Sequence, residues 1–243
     1  MTPKEAYQSS LFLGVCAALL CIPFTTENPV IGYSFLSTFG AYLFLRKQSV
    51  RAYAPAFIGA ISLLIWHHSP LHIVFACISA LIAVLYQLPY GFSLRNHSVL
   101  KPLSISFAWT LNTVLISSSN QFEFIPNDRS VVLSCTSIFV ITFILALYYD
   151  LIERDKEEHK SSLAVQLGLE KTNILSIALF IVLIILHISV FGHTTKETVA
   201  LAGATVYIIF IQSKFRAKKA TTYIIDACFV VYALLLILGK NFI

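Results

Sequence analysis

The stretch Asp150-Leu-Ile-Glu153-Arg154-Asp155-Lys156-Glu157-Glu158-His159-Lys160-Ser-Ser162-Leu-Ala-Val-Gln-Leu-Gly168 places five of the chain's twelve carboxylates within nine residues. Two long apolar runs flank it, Ser130–Tyr149 before and Asn173–Phe191 after. Each run is close to the 17–25 apolar residues that a helix needs to cross a bilayer. A charged knot between two such runs is a surface segment joining two membrane spans. The long polar connection extends over Asp150–Thr172.

The rest of the chain has the same character. Its 243 residues are 57% hydrophobic and only 12% charged, with mean hydropathy +0.79. Soluble domains are about 45–50% apolar and about 25% charged. A soluble core of this size has no room for so much apolar surface. These values exclude soluble enzymes, disordered chains, collagens and secreted disulfide scaffolds.

Nine apolar runs approach spanning length: Gln8–Phe24, Val30–Leu45, Tyr53–Trp66, Leu71–Leu88, Leu103–Ser118, Ser130–Tyr149, Asn173–Phe191, Val199–Gln212 and Thr221–Leu238. The expected fold class is therefore all-α, a polytopic bundle of nine transmembrane helices in a single domain over residues 1–243. No internal repeat or soluble domain interrupts it.

Basic residues set the orientation. With nine spans and a cytoplasmic N-terminus, 14 of the 17 lysines and arginines fall on the cytoplasmic side. Only Arg129, Lys196 and Lys240 fall outside. This is the asymmetry of the positive-inside rule. The net charge of +5 then belongs to loops facing anionic lipid, not to a nucleic-acid surface. Cys16, Cys21, Cys77, Cys135 and Cys228 all sit in apolar runs without a CxxC pair, so they read as packing residues.

Acids beside basic groups at a membrane surface suit a phosphorylated lipid. Carboxylates hold Mg²⁺ together with substrate phosphate oxygens, and Arg and Lys pair with the same phosphates. The alternative reading of such a knot is a solvated loop that fixes topology.

Asp226 is the one acid well inside an apolar run. Acids there are costly and point to function, although an Asp in a first helical turn is also favoured by the helix dipole. It is the candidate accessory acid of the same cavity. The His67-His68-x-x-x-His72 cluster reads as a loop, and Asn112 as a helix–helix hydrogen-bonding residue.

The stretch Asp150–Gly168 resembles the second aspartate motif of the UbiA family of membrane prenyltransferases. There an acidic segment precedes a Ser/Thr-Leu-x-Val-x-Leu-Gly tail, matched here by Ser162-Leu-Ala-Val-Gln-Leu-Gly168. Tyr86, Pro89, Arg95, Leu100, Lys101 and Trp109 resemble the family's Tyr…Pro…Lys/Arg…Leu-Lys…Trp pattern. The layout of nine helices with the N-terminus inside is also similar to the family's.

The resemblance implies transfer of an isoprenoid chain from a polyprenyl diphosphate to an unknown acceptor. It implies Mg²⁺ on the diphosphate, with Asp150, Glu153 and Asp155 on the metal side. Arg95, Lys101, Arg154 and Lys156 are the diphosphate-binding candidates. The implied partners are isoprenoid diphosphate and membrane lipid. The implied place is the inner membrane of a bacterial cell, with the cavity facing the cytoplasm.

Two departures shape the expectation. The family's first motif, roughly Asn-Asp-x-x-Asp near the end of the second helix, has no counterpart. No carboxylate stands between Glu27 and Glu123, and Arg46 and Lys47 occupy that region. These side chains can bind phosphate but cannot ligate Mg²⁺. In the second motif, anchoring on Ser162 puts Asp155 on the family's last Asp and Leu151 on its first, with Asp150 one place early. On one helix Asp150 and Asp155 would diverge by about 140°. The alternative function is a catalytically degenerate member that binds isoprenoid lipid or serves as a membrane partner.

Overall fold

The computed structural model describes residues 3–67, 70–88, 93–118, 129–153, 162–192, 195–217 and 221–239. Among these residues the chain forms nine long helices and no strand. They are α1 (Pro3–Cys21), α2 (Asn28–Leu45), α3 (Val50–His67), α4 (Pro70–Gln87), and α5, which begins as Leu100–Thr110. Helix α5 continues through a π-helical turn, Leu111–Leu115, into Ile116–Ser118. Then follow α6 (Arg129–Ile152), α7 (Leu163–Phe191), α8 (Lys196–Arg216) and α9 (Thr222–Gly239). A short 3₁₀ turn, Leu94–Asn96, precedes α5.

Helices α4, α6, α7, α8 and α9 are long and apolar enough to cross a membrane. The apolar part of α3, Val50–Trp66, is shorter. Helices α1, α2 and α5 are diluted by Ser, Thr and Tyr. Many of these hydroxyls bond back to the carbonyl four residues earlier, as Ser10 does to Ala6 (2.7 Å), Ser106 to Pro102 (2.7 Å) and Thr113 to Trp109 (2.7 Å). Such a bond satisfies the hydroxyl within its own helix, although Ser34 of α2 and Ser117 of α5 are buried without a partner.

Helix α6 is the central element. It packs on α5, α7 and α9, while α1 packs on both α2 and α9. Buried Ile138, Ile141, Ile144, Leu145 and Tyr148 of α6 form the core with Leu13 and Leu20 of α1, Ile208 of α8 and Tyr232 of α9. Inside this core the polar contacts run between helices. The Asn173 Oδ1 accepts from the Tyr148 hydroxyl (2.8 Å), which itself accepts from Gln212 Nε2 (3.1 Å). One tyrosine thus ties α6, α7 and α8 together, the way polar side chains join helices where water is absent.

The polar connection is shorter than the expected Asp150–Thr172. Helix α6 runs to Ile152, and α7 starts at Leu163. Ser162 caps α7 by accepting from the Val165 amide (3.4 Å). Gly168, at φ 75°, then breaks the helix before it resumes. The Ser-Leu-Ala-Val-Gln-Leu-Gly segment is therefore a capped short helix ended by a left-handed residue. Serine suits the cap and glycine the positive φ. Charge density hid this helix, because period-3.6 apolar patterning is weak over Ser162–Thr172.

All five cysteines are free, with Cys16, Cys21 and Cys228 buried. His72 is buried, while His68 lies outside the described residues.

Candidate functional site

A cavity of about 400 Å³ opens among the ends of α1, α2, α4, α5, α6 and α9. Its wall follows helical spacing. From α6 come Thr142, Leu145, Ala146, Tyr149, Asp150 and Glu153; from α9 come Thr222, Asp226 and Phe229. Residues three, four and seven apart share a helix face, so each helix presents one polar-tipped stripe to the same space.

Four cations line this cavity: Arg46 and Lys47 at the end of α2, Arg95 on the 3₁₀ turn, and Lys101 in the first turn of α5. Three acids line it as well: Asp150, Glu153 and Asp226. The structure thus brings together Arg95, Lys101, Asp150, Glu153 and Asp226. Arg154, Asp155 and Lys156, expected beside them, lie outside the described residues.

The acids are individually engaged. The Lys101 ammonium donates to Asp150 Oδ1 in a buried ion pair. Lys101 is 6% exposed and Asp150 2%, so neither charge is solvated by bulk water and each depends on the other. The Tyr149 hydroxyl donates to Asp226 Oδ1. Asp226 has no solvent exposure, and its Oδ2 has no hydrogen-bond partner.

Arg46 is committed to the fold more than to the cavity. Its guanidinium donates to Ala6 O (2.9 Å), Ser10 Oγ (3.1 Å) and Ser9 Oγ (2.8 Å), all on α1. Three of the guanidinium's five N–H groups are thereby spent on α1. Lys47, with φ 55°, is exposed at the same rim.

An apolar slot of about 70 Å³ adjoins the cavity, and the two share Tyr42, Leu45, Tyr86, Ile105 and Trp109. It is walled by Thr38 and Ala41 of α2, Ser79, Ile82 and Ala83 of α4, and Ala108 and Asn112 of α5. Ser79 lies seven residues before Tyr86, so the slot runs about 10 Å along α4. At its deep end Ser79 Oγ and Asn112 Oδ1 are buried with no hydrogen-bond partner. The expected helix–helix bond from the Asn112 side chain is therefore not formed. Asn112 belongs to the π-helical turn, a distortion frequent at functional sites.

Aromatic rings cover the junction of slot and cavity. Trp109 stacks on Phe229 with centroids 4.4 Å apart and planes at 10°, and its indole N–H donates to the Tyr42 hydroxyl (3.2 Å). Of the six residues in the Tyr…Trp pattern, Tyr86, Arg95, Lys101 and Trp109 line the cavity. Leu100 starts α5 and is half-exposed, and Pro89 lies outside the described residues. Sequence reasoning passed over Tyr42, Tyr149 and Phe229. Helical offsets could have found two of them: Tyr42 is four residues before Arg46, and Phe229 three after Asp226.

The described residues do not fit a Mg²⁺ centre. No group of three possible ligands converges among them. Asp150 and Asp226 each engage a different hydrogen-bond donor, and the end of α2 supplies cations.

The UbiA prenyltransferase family model matches residues 44–235. The fold is similar to the apo structure of a UbiA homolog from Aeropyrum pernix K1, with TM-score 0.56, 13% identity and 99% of each chain covered. No curated protein matches the sequence. A family model spanning α3 to α9, together with a fold match over the full length, settles the affiliation of this integral membrane protein: the chain belongs to the UbiA prenyltransferase family.

Proposed function

We propose that the protein takes an isoprenoid diphosphate, headgroup at the basic mouth and chain in the apolar slot, and transfers the chain to an acceptor nucleophile. One observation carries this reading. The cluster of Lys47, Arg95 and Lys101 and the slot between α2, α4 and α5 are joined through shared walls. A molecule that is anionic at one end and greasy at the other satisfies both halves.

The chemistry then distributes over named groups. The allylic C1–O bond breaks, and its electron pair leaves with the diphosphate, which Lys101 and Arg95 stabilise by charge. The allylic cation forms beneath the faces of Trp109, Phe229 and Tyr42, whose π-systems attract it. The acceptor attacks C1 and gives up its proton to Asp226, which stands three residues before Phe229 on α9 in the same cavity wall. The mouth lies at the end of the bundle that the basic-residue asymmetry assigns to the cytoplasm.

The test incubates purified protein in lipid nanodiscs with labelled geranylgeranyl diphosphate and a membrane lipid extract. The expected result is release of inorganic pyrophosphate and a labelled extractable product. Binding without pyrophosphate release under any acceptor mixture replaces this reading with the isoprenoid-binding one. Arg46 and Lys47 at the place of the first acidic motif favour that second reading.

A further inference from the structure

We infer that the headgroup site works without a divalent cation, with the Lys101 ammonium standing on Asp150 where a metal ion would otherwise sit. The inference rests on the isoprenoid-diphosphate reading and deepens it.

The first ground is the state of Asp150. Its carboxylate lies in the cavity wall and engages the Lys101 ammonium directly. A lysine has three N–H donors. An ammonium can therefore donate to a carboxylate and to phosphate oxygens together. A Mg²⁺ ion demands near-octahedral oxygen ligation with one or two protein carboxylates. At Asp150 it would have to displace a buried ammonium and leave that charge unpaired, which costs several kcal/mol.

The second ground is the opposite wall. A two-sided metal clamp needs carboxylates from the end of α2 as well. That end carries Arg46 and Lys47, and no acid stands between Glu27 and Glu123. Cations cannot ligate a metal, and by repelling it they weaken any metal site facing them. The same cations attract a diphosphate.

The third ground is charge balance. Lys47, Arg95 and Lys101 line the mouth with Asp150 and Glu153, while Arg46 adds positive charge from its anchored position on α1. With Asp226 counted, the described lining holds four cations and three carboxylates and carries one net positive formal charge before any ligand enters. An anionic headgroup meets Arg and Lys there, the side chains that bind phosphate directly.

Equilibrium binding of labelled geranylgeranyl diphosphate to the full chain in nanodiscs tests this, in EDTA and in Mg²⁺. The expected Kd in EDTA is within about threefold of that in Mg²⁺, and Lys101→Met raises it at least about tenfold. Unlabelled inorganic pyrophosphate is expected to displace the label in EDTA, which assigns the contact to the headgroup.

Binding that appears only with Mg²⁺ overturns the inference and leaves the isoprenoid reading standing. Absence of binding in both arms overturns the isoprenoid reading, and this inference with it. If Lys101→Met does not fold, the pair Lys47→Gln and Arg95→Gln decides: unchanged EDTA-resistant binding in both overturns the clamp.

Discussion

Tyr149 of α6 donates its phenol hydrogen to Asp226 of α9, 77 positions along the chain, with Asp226 fully buried and Tyr149 partly so. The bond leaves the second carboxylate oxygen of Asp226 without a partner at the wall of the cavity. One oxygen is thus held by the phenol, and the other is buried beside the cavity without a hydrogen-bond partner. That is the arrangement of an oriented proton acceptor. Asp226→Asn keeps the size of the side chain and its bond from Tyr149 but removes the basic oxygen. Turnover is expected to fall about 100-fold or more, with isoprenoid diphosphate binding unchanged. Product formation and equilibrium binding, measured on one preparation, separate the two. Equal losses in both would mean that Asp226 only supports the wall.

The slot predicts a chain-length effect. Ala83 and Ala108 face it from α4 and α5, and a larger side chain at either position fills space near the junction. Ala83→Leu and Ala108→Leu are expected to shift preference from geranylgeranyl toward farnesyl and geranyl diphosphate. Competition among the three against a labelled ligand reads this directly. Overpacking costs about 1–3 kcal/mol of stability, so a thermal melt accompanies the measurement. Uniform weakening of all three ligands would place the chain elsewhere.

Arg46 predicts a stability effect. Its guanidinium fastens the end of α2 to Ala6, Ser9 and Ser10 of α1. Arg46→Gln leaves those acceptors without their donors, a loss of about 1–3 kcal/mol, read as a lower melting temperature in detergent. Arg46→Lys is expected to recover little. A single ammonium cannot reproduce the planar fork that reaches three oxygens on one helix.

Gly168 predicts a backbone effect. A Cβ there would meet nothing within 4 Å, yet the residue sits at φ 75°. Gly168→Ala is therefore expected to cost about 1–2 kcal/mol through conformation alone. Asn, which tolerates left-handed geometry better, is expected to cost less. Denaturation of both variants in mixed micelles checks the order. An Ala variant as stable as the parent would show that the break is not needed.

The amino-acid sequence alone determined the class of the protein. Mean hydropathy and the succession of long apolar runs required a helical membrane bundle, because backbone groups in lipid must be satisfied within a segment. The Ser162–Gly168 tail and the Tyr86…Trp109 pattern pointed to the family from local residue types. Helix ends were less legible. The start of α7 at Leu163 depends on a serine cap and a glycine break inside a stretch that reads as polar.

Only the tertiary structure decided how the site is wired. Asp150 looked like a metal ligand and Lys101 like a phosphate contact, each from its own neighbourhood. Their ion pair joins residues 49 apart in sequence. Tyr149 gave no sign of chemistry until α9 laid Asp226 against it. Arg46, free in sequence, proved bound to α1. Spacing along a chain reports which residues share a helix face. Which faces meet, and which charges cancel one another, is set by packing among helices and has no local signature.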